Sequence, residues 1–112
     1  MEIKQKEINA SGIKFFIEKD GVEVARATLY LMYNDLHKRP FGLLEDVFVE
    51  KDFRGQGFGT QLVQNVLDDA RTRCYKLLAT SRYAREKVHK WYVDLGFEDY
   101  GKEFRMNFPQ DE

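Results

Sequence analysis

The chain has little cysteine, no clear excess of charge of one sign, and no long apolar run. Its single cysteine, Cys74, excludes an internal disulfide, and the two histidines have no metal partner at ligand spacing. A net charge of −1 argues against a nucleic-acid-binding surface, which usually shows a basic excess. No apolar run approaches the ~20 residues of a membrane span, and the N-terminus has no signal-peptide core. We therefore expect one cytoplasmic domain over residues 1–112, with no metal, nucleic-acid or membrane partner.

The first third of the chain predicts an antiparallel hairpin. Residues 13–19 and 22–33 are rich in β-formers, and Asp20-Gly21 between them is a two-residue hairpin signal. Residues 2–8 alternate weakly, with Ile3 and Ile8 as the only apolar positions. They predict at most an edge strand.

Residues 43–73 predict a strand, a glycine-rich loop and a helix in succession. The stretch begins as an apolar run rich in β-branched residues and reaches the sequence RGQGFGT at residues 54–60. A stripe of apolar residues at helical spacing follows, made up of Leu62, Val63, Val66, Leu67 and Ala70. Glycines let a ligand approach the backbone closely, and the N-terminus of a helix offers unpaired N–H groups to an anion. Such a loop is suited to binding phosphate.

The last third of the chain predicts further strands around a second helix. Residues 75–80 form a short buried strand, which after an intervening helix implies a parallel βαβ unit. Residues 85–95 carry apolar positions at i, i+3, i+4 and i+7, and Gly96 supplies a helix stop. Residues 97–100 and 103–108 are predicted as a final strand pair, with a frayed tail at 109–112. The fold class is therefore α/β (an α+β mixed sheet), mostly antiparallel with a central parallel βαβ unit.

Two nucleotide-binding interpretations of the glycine-rich loop fail. A P-loop needs Lys-Ser or Lys-Thr after its last glycine, whereas Thr60 follows Gly59 directly and no lysine lies between Asp52 and Lys76. A dinucleotide fingerprint needs G-x-G-x-x-G and an acidic residue about 20 positions later. The glycines here are spaced G-x-G-x-G, and residues 75–82 contain no acid.

A third interpretation fits both the loop and a second motif. Arg54-x-x-Gly57-x-Gly59, preceded by a strand that ends in Val47-Phe48-Val49, resembles the acetyl-coenzyme A loop of the GNAT superfamily of N-acetyltransferases. The sequence WYVDLGF at residues 91–97 resembles the second signature of that family, F-Y-x-x-x-G-F. Residues 45–49 and 74–76 are also locally similar to glucosamine-phosphate N-acetyltransferases. The resemblance implies a GNAT-like acyl-CoA N-acyltransferase fold. It departs from the family pattern at residues 9–12, where members usually have two helices between their first two strands.

The resemblance implies which residues would bind acetyl-CoA. The backbone of Val47, Phe48 and Val49 would pair with the pantetheine arm like an added strand. The loop would hold the pyrophosphate through backbone N–H groups, with the Thr60 hydroxyl as an additional donor. The loop residues are Arg54, Gly55, Gln56, Gly57, Phe58, Gly59 and Thr60. Arg85 is at the position where many relatives have an asparagine that touches the cofactor arm. It is therefore a candidate to bind a coenzyme A phosphate or an acidic acceptor. The alternative is that it belongs to a solvated basic helix face.

The resemblance also implies an acid and a base for direct transfer of acetyl to an amine in a ternary complex. Tyr92 is at the position of the usual general acid, although its spacing is also that of a core tyrosine. Glu45 and Asp46 are candidates for the base, directly or through water, and because successive strand residues face opposite sides at most one should face the site. An ion pair with a surface cation is the structural alternative for either carboxylate.

The acceptor, beyond being a primary amine on a small molecule or a protein, is not specified by any motif. The missing helices favour a second possibility, a non-catalytic acyl-CoA binding or sensing module that regulates a partner protein. Aromatic side chains such as Tyr30, Tyr33 and Phe41 are candidates for a homodimer contact, and they are equally candidates for the core.

Overall fold

The computed structural model describes residues 1–110 of the chain. Its strands are β1 (Ala10–Lys19), β2 (Val22–Met32), β3 (Phe41–Val49) and β4 (Leu77–Ala79), and its helices are α1 (Phe58–Arg73) and α2 (Glu86–Asp94). A short 3₁₀ turn, Lys51–Phe53, precedes α1. Two compact units divide the chain after Ala79, and each is described by itself.

The first unit contains a four-stranded mixed sheet in the order β1-β2-β3-β4. The pairs β1–β2 and β2–β3 are antiparallel, and β3–β4 is parallel, with α1 connecting the two parallel strands. The predicted hairpin is confirmed: Asp20 and Gly21 both have positive φ, 53° and 77°, as a turn matched to the twist of a hairpin requires. The predicted strand–loop–helix and the parallel βαβ unit are confirmed as well. The strand predicted at 75–80 is shorter, Leu77–Ala79, and it is not buried as expected, because within residues 1–110 it pairs on one side only and Leu78 is 40% exposed.

The core of the first unit lies between β2 and the apolar stripe of α1. Leu29 on β2 and Val63 and Val66 on α1 are its largest fully buried side chains. Each contributes about 1.5–3 kcal/mol when it is removed from water. Helix α1 also packs on β1 and β3, so the residues that follow β3 are anchored to a rigid layer.

Two strand predictions at the ends of the chain are wrong. Residues 2–8 form no strand, because Ile3 and Ile8 have no sheet to pack against; they are 91% and 49% exposed. The first strand begins at Ala10, within residues 9–12, which were expected to connect two strands. The expected strands at 97–100 and 103–108 are also absent from the part of the chain that the structure describes. Their apolar side chains, among them Tyr100, Phe104 and Phe108, are exposed, and within residues 1–110 no strand pairs with this segment. Residues 111 and 112 of the predicted tail lie outside the described residues.

The second unit begins at Thr80 and contains α2. The predicted helix at 85–95 is confirmed within one residue at each end, and Gly96 follows it with a φ of 110°. No helix within residues 1–110 combines the length and the hydropathy that crossing a membrane requires.

Candidate acetyl-coenzyme A site

Strands β3 and β4 pair over only a short distance. Their ladder runs from Gly42–Leu77 to Leu44–Ala79, whereas β3 continues to Val49. Within the first unit, β3 has β2 on its other side and no other strand along residues 45–49. The backbone groups of this segment that point away from β2 therefore form an open strand edge. Such an edge can pair with an extended ligand.

A β-bulge occurs in this open segment. Arg26 pairs with Phe48 and Thr28 with Glu45, so two steps along β2 correspond to three along β3. Asp46 has a φ of 54° in the left-handed region that L-residues rarely adopt. The bulge interrupts the alternation on which the expectation for Glu45 and Asp46 depended: Glu45 is half-buried and Asp46 is exposed.

The Asp46 carboxylate is ion-paired with Arg26 on β2. Arg26 Nε donates to Asp46 Oδ2 at 2.8 Å, and Nη2 donates to Oδ1 at 3.4 Å. The hydrogen bond to Asp46 raises the pKa of the Arg26 guanidinium above its ordinary value, so Arg26 keeps its charge. Glu45 forms no ion pair or side-chain hydrogen bond within residues 1–110. The structure thus gives Asp46 the ion-pairing role and leaves the Glu45 carboxylate available.

Arg54 of the predicted motif connects the strand to the loop. Its Nε donates to the carbonyl of Val49, the last residue of β3, at 2.9 Å. Its guanidinium carbon lies 5.6 Å from the centroid of the Phe48 ring, over which the Arg26 guanidinium also lies at 4.7 Å. The side chain of Arg54 therefore fixes the exit of the strand, which sequence reasoning did not specify.

The glycine-rich loop places an open backbone surface before α1. Gly55 and Gly57 have φ values of 80° and 83°, and a Cβ added at either would meet nothing within 4 Å. Gly57 is the N-cap of α1 and, as a glycine, has no side chain with which to cap the helix. Phe58, Gly59 and Thr60 form the first turn, where helix geometry directs N–H groups outward and the dipole is positive. The predicted loop residues are thus brought together at one helix N-terminus, with room for an anionic group.

Lys19 is a residue near this helix end that the sequence analysis missed. Lys19 is the last residue of β1, and its ammonium group lies 5.5 Å from the centroid of the Phe58 ring. Phe53, in the 3₁₀ turn, has its ring centroid 6.4 Å from that of Phe58. The hairpin thus brings a cation close to the start of α1, which no local motif could have indicated.

The second unit holds the other predicted site residues. The Tyr92 ring is stacked on Trp91 with centroids 5.2 Å apart and lies 5.3 Å from the Phe97 ring. Arg85 is the N-cap residue of α2, and its carbonyl accepts hydrogen bonds from the N–H groups of Val88 and His89. The aromatic residues of the second motif therefore form one cluster, as their i, i+1 and i+6 spacing around a helix end allows.

Ser81 is a second residue that the sequence analysis did not select. Its hydroxyl oxygen is buried and has no hydrogen-bond partner within the described residues. Buried hydroxyl groups are usually paired, so Ser81 is an exception among the described residues. It lies two residues after β4 along the chain.

Comparison with known proteins agrees with this geometry. A model of the acetyltransferase (GNAT) family matches residues 2–97. Over 70 residues the chain is 33% identical to glucosamine 6-phosphate N-acetyltransferase from Trypanosoma brucei brucei, which covers 62% of this chain and 46% of that protein. The chain thus spans less than half the length of that relative.

Solved structures show the same fold. An acetyltransferase from Trypanosoma brucei is 28% identical, with a TM-score of 0.75 over 88% of this chain and 69% of that one. Glucosamine-6-phosphate N-acetyltransferase from Arabidopsis thaliana is 22% identical and has a TM-score of 0.77, with 88% of this chain and 67% of the other covered. The family match extends over most of the chain, and the strand–loop–helix that carries the motif is present in the structure. The chain belongs to the GNAT family of acetyltransferases.

Proposed function

We propose that this protein binds acetyl-CoA and transfers its acetyl group to a primary amine. The observation that carries the proposal is the early end of the β3–β4 ladder at Leu44 and Ala79, which leaves an open strand edge at residues 45–49 ahead of the loop at the start of α1. An open strand edge and a helix N-terminus in succession suit a ligand that has an extended amide-containing arm and a pyrophosphate. The GNAT family match supports the choice of acetyl-CoA over other such ligands.

In this proposal the binding contacts are mainly backbone contacts. Residues 47–49 offer their strand edge to the pantetheine arm, and residues 54–60 offer N–H groups to the pyrophosphate. Lys19 adds positive charge near the same helix end. Arg85 remains a candidate for a phosphate contact on the basis of the resemblance, and the two units would act as one acetyltransferase domain.

The chemistry needs a proton acceptor for the amine and a proton donor for the departing thiolate. Glu45 is the better base, because Asp46 is already bound by Arg26 and a base role for Asp46 would require that ion pair to open. Tyr92 is the proposed acid: a phenol is protonated at neutral pH and can donate to sulfur. Acetyl-CoA supplies the activated acyl group, and the chain supplies binding and proton transfer.

Amino sugars are the first acceptors to test. The relative from Trypanosoma brucei brucei is named for glucosamine 6-phosphate, and its similarity to this chain covers more than half of the chain. The alternative function is that of a module that binds acyl-CoA without transferring the acyl group. Acetyl-CoA binding with no transfer to any amine in an acceptor panel would support the alternative.

Calorimetric titration with acetyl-CoA, with free coenzyme A and ATP as controls, tests the binding site. Gly57→Ala should weaken binding by about tenfold, since holding a non-glycine residue in the left-handed region costs about 1–2 kcal/mol. Gly21→Ala is a matched control, because Gly21 has a similar φ of 77° and equally open surroundings but lies in the hairpin turn. It should lose similar stability and bind acetyl-CoA normally. Absence of acetyl-CoA binding to the unaltered protein would contradict the proposal.

A further inference from the structure

Asp46 is held in an unfavourable backbone conformation by contacts from outside its own strand. Its φ of 54° belongs to the region that glycine populates freely and other residues rarely adopt. Aspartate tolerates this region better than most residues, but such a conformation persists only where the surroundings specify it. The surrounding groups are therefore expected to matter more here than at an ordinary strand position.

The group that specifies it is Arg26. Its guanidinium forms two hydrogen bonds with the Asp46 carboxylate, at 2.8 and 3.4 Å, in a fork geometry that lysine cannot reproduce. Arg26 lies opposite Phe48, on the far side of the bulge from Glu45. The ion pair thus spans the irregular residues and links the bulged part of β3 to the neighbouring strand β2.

The same guanidinium is connected to the glycine-rich loop through one aromatic ring. Arg26 lies 4.7 Å and Arg54 5.6 Å from the centroid of Phe48, and Arg54 donates to the carbonyl of Val49. Guanidinium groups are attracted to the faces of aromatic rings at such distances. Arg26, Asp46, Phe48 and Arg54 therefore form one contact cluster from the bulge to the loop, which we call the bulge clamp.

We propose that Arg26 is a positioning residue for acetyl-CoA binding: it holds the bulge so that the backbone of residues 47–49 is presented in the conformation that the ligand pairs with. This inference rests on the proposed function. Arg26 need not touch the ligand. Without its ion pair, Asp46 can relax toward an extended conformation. The apparent dissociation constant then rises in inverse proportion to the fraction of molecules that keep the bulge.

Calorimetric titration of four variants with acetyl-CoA tests the inference. Arg26→Gln should weaken binding about three- to fivefold, the range expected when a partly exposed ion pair is removed. Arg26→Lys should give an intermediate value, because lysine keeps the charge and loses the fork. Adding Asp46→Gly to Arg26→Gln should restore binding to within about twofold of the unaltered protein, since glycine adopts positive φ without an ion pair.

Arg71→Gln is the matched control for a general loss of surface charge. Arg71 is ion-paired with Asp68 on α1 at 2.8 Å, and within residues 1–110 this pair shares no ion-pair partner with the bulge clamp. Melting temperatures should fall by similar small amounts in Arg71→Gln and Arg26→Gln, whereas only the latter should weaken binding. Normal binding by Arg26→Gln, or no recovery in the double variant, would overturn the inference and leave the proposed function intact. Failure of the unaltered protein to bind acetyl-CoA would overturn both.

Discussion

Replacing Gly42 with alanine perturbs the point where β3 and β4 begin to pair. Gly42 is buried in β3, lies opposite Leu77 in the parallel ladder, and donates its N–H to the carbonyl of Lys76 at 2.8 Å. An added Cβ would lie 2.9 Å from Leu77 Cδ1, 3.0 Å from Leu29 Cδ1 and 3.1 Å from Cys74 Sγ. Three elements that contact one another would have to move apart at once.

The size of the stability loss depends on whether the side chains around the added Cβ can move. Leu77 is half-buried and can rotate, but Leu29 is 0% exposed and Cys74 7% exposed, so neither can move into solvent. Overpacking of this kind costs about 1–3 kcal/mol. Alanine recovers roughly 0.5–1 kcal/mol by restricting the unfolded chain. The net expectation is a loss of about 1–2 kcal/mol, or a fall in Tm of roughly 5–10 °C.

Thermal unfolding of Gly42→Ala beside Gly12→Ala makes the test specific. Gly12 is also a strand glycine, but an added Cβ there would come close only to the ring of Tyr30, at 3.3 Å, with the carbonyl of Leu29 at an ordinary contact distance of 4.0 Å. The Tyr30 residue is 43% exposed, so its ring can move away. We expect Gly12→Ala to unfold within a few degrees of the unaltered protein. Equal Tm values for the two variants would show that the β3–β4 contact is not as tight as the structure indicates.

Three further predictions concern the core, the thiol and the proposed acid. Leu29→Ala should lower the free energy of unfolding by about 2–5 kcal/mol in urea titrations with an unchanged m-value, because it leaves a cavity in a fully buried position. Burial raises the pKa of the Cys74 thiol above its ordinary value near 9, so the neutral thiol stabilises the fold fully below that value and less as pH rises through it. The Tm should therefore decline at alkaline pH more steeply than in Cys74→Ala; parallel declines would refute this. Tyr92→Phe should lower kcat of acetyl transfer by about a hundredfold and leave the acetyl-CoA dissociation constant nearly unchanged; an unchanged kcat would remove the acid role.

The elements that sequence reasoning identified correctly are those specified by local signals. Asp20-Gly21 sets the hairpin through two adjacent positive φ angles, and the stripe with Val63 and Val66 places α1 on the sheet. Gly57 at the N-cap explains why the motif spacing could be read as a strand-to-helix loop. In each case, residues only a few positions apart in the sequence specify the element.

The wrong strand predictions show the limit of a local pattern. Residues 103–108 alternate apolar and polar side chains, yet Phe104 is 92% and Phe108 70% exposed. Alternation indicates which face of a strand would be buried, but the backbone needs a neighbouring strand whose position depends on distant parts of the chain. At the other end, Ile3 and Ile8 were too few to specify a strand. The sequence shows a local preference for a strand but does not show which segment would pair with it.

The least predictable part of the candidate site is its most distinctive feature, the bulge at Asp46. A bulge is defined by a mismatch between two strands, and the residue that holds it, Arg26, lies 20 positions earlier in the chain. From sequence, Arg26 reads as one of several solvent-facing cations and Asp46 as one of two carboxylates that alternate on a strand. Only the pairing register of β2 and β3 shows that Arg26 and Asp46 are neighbours, and that the Asp46 carboxylate is therefore ion-paired. Which of the two carboxylates is ion-paired is therefore a property of the sheet, and the motif by itself could not indicate it.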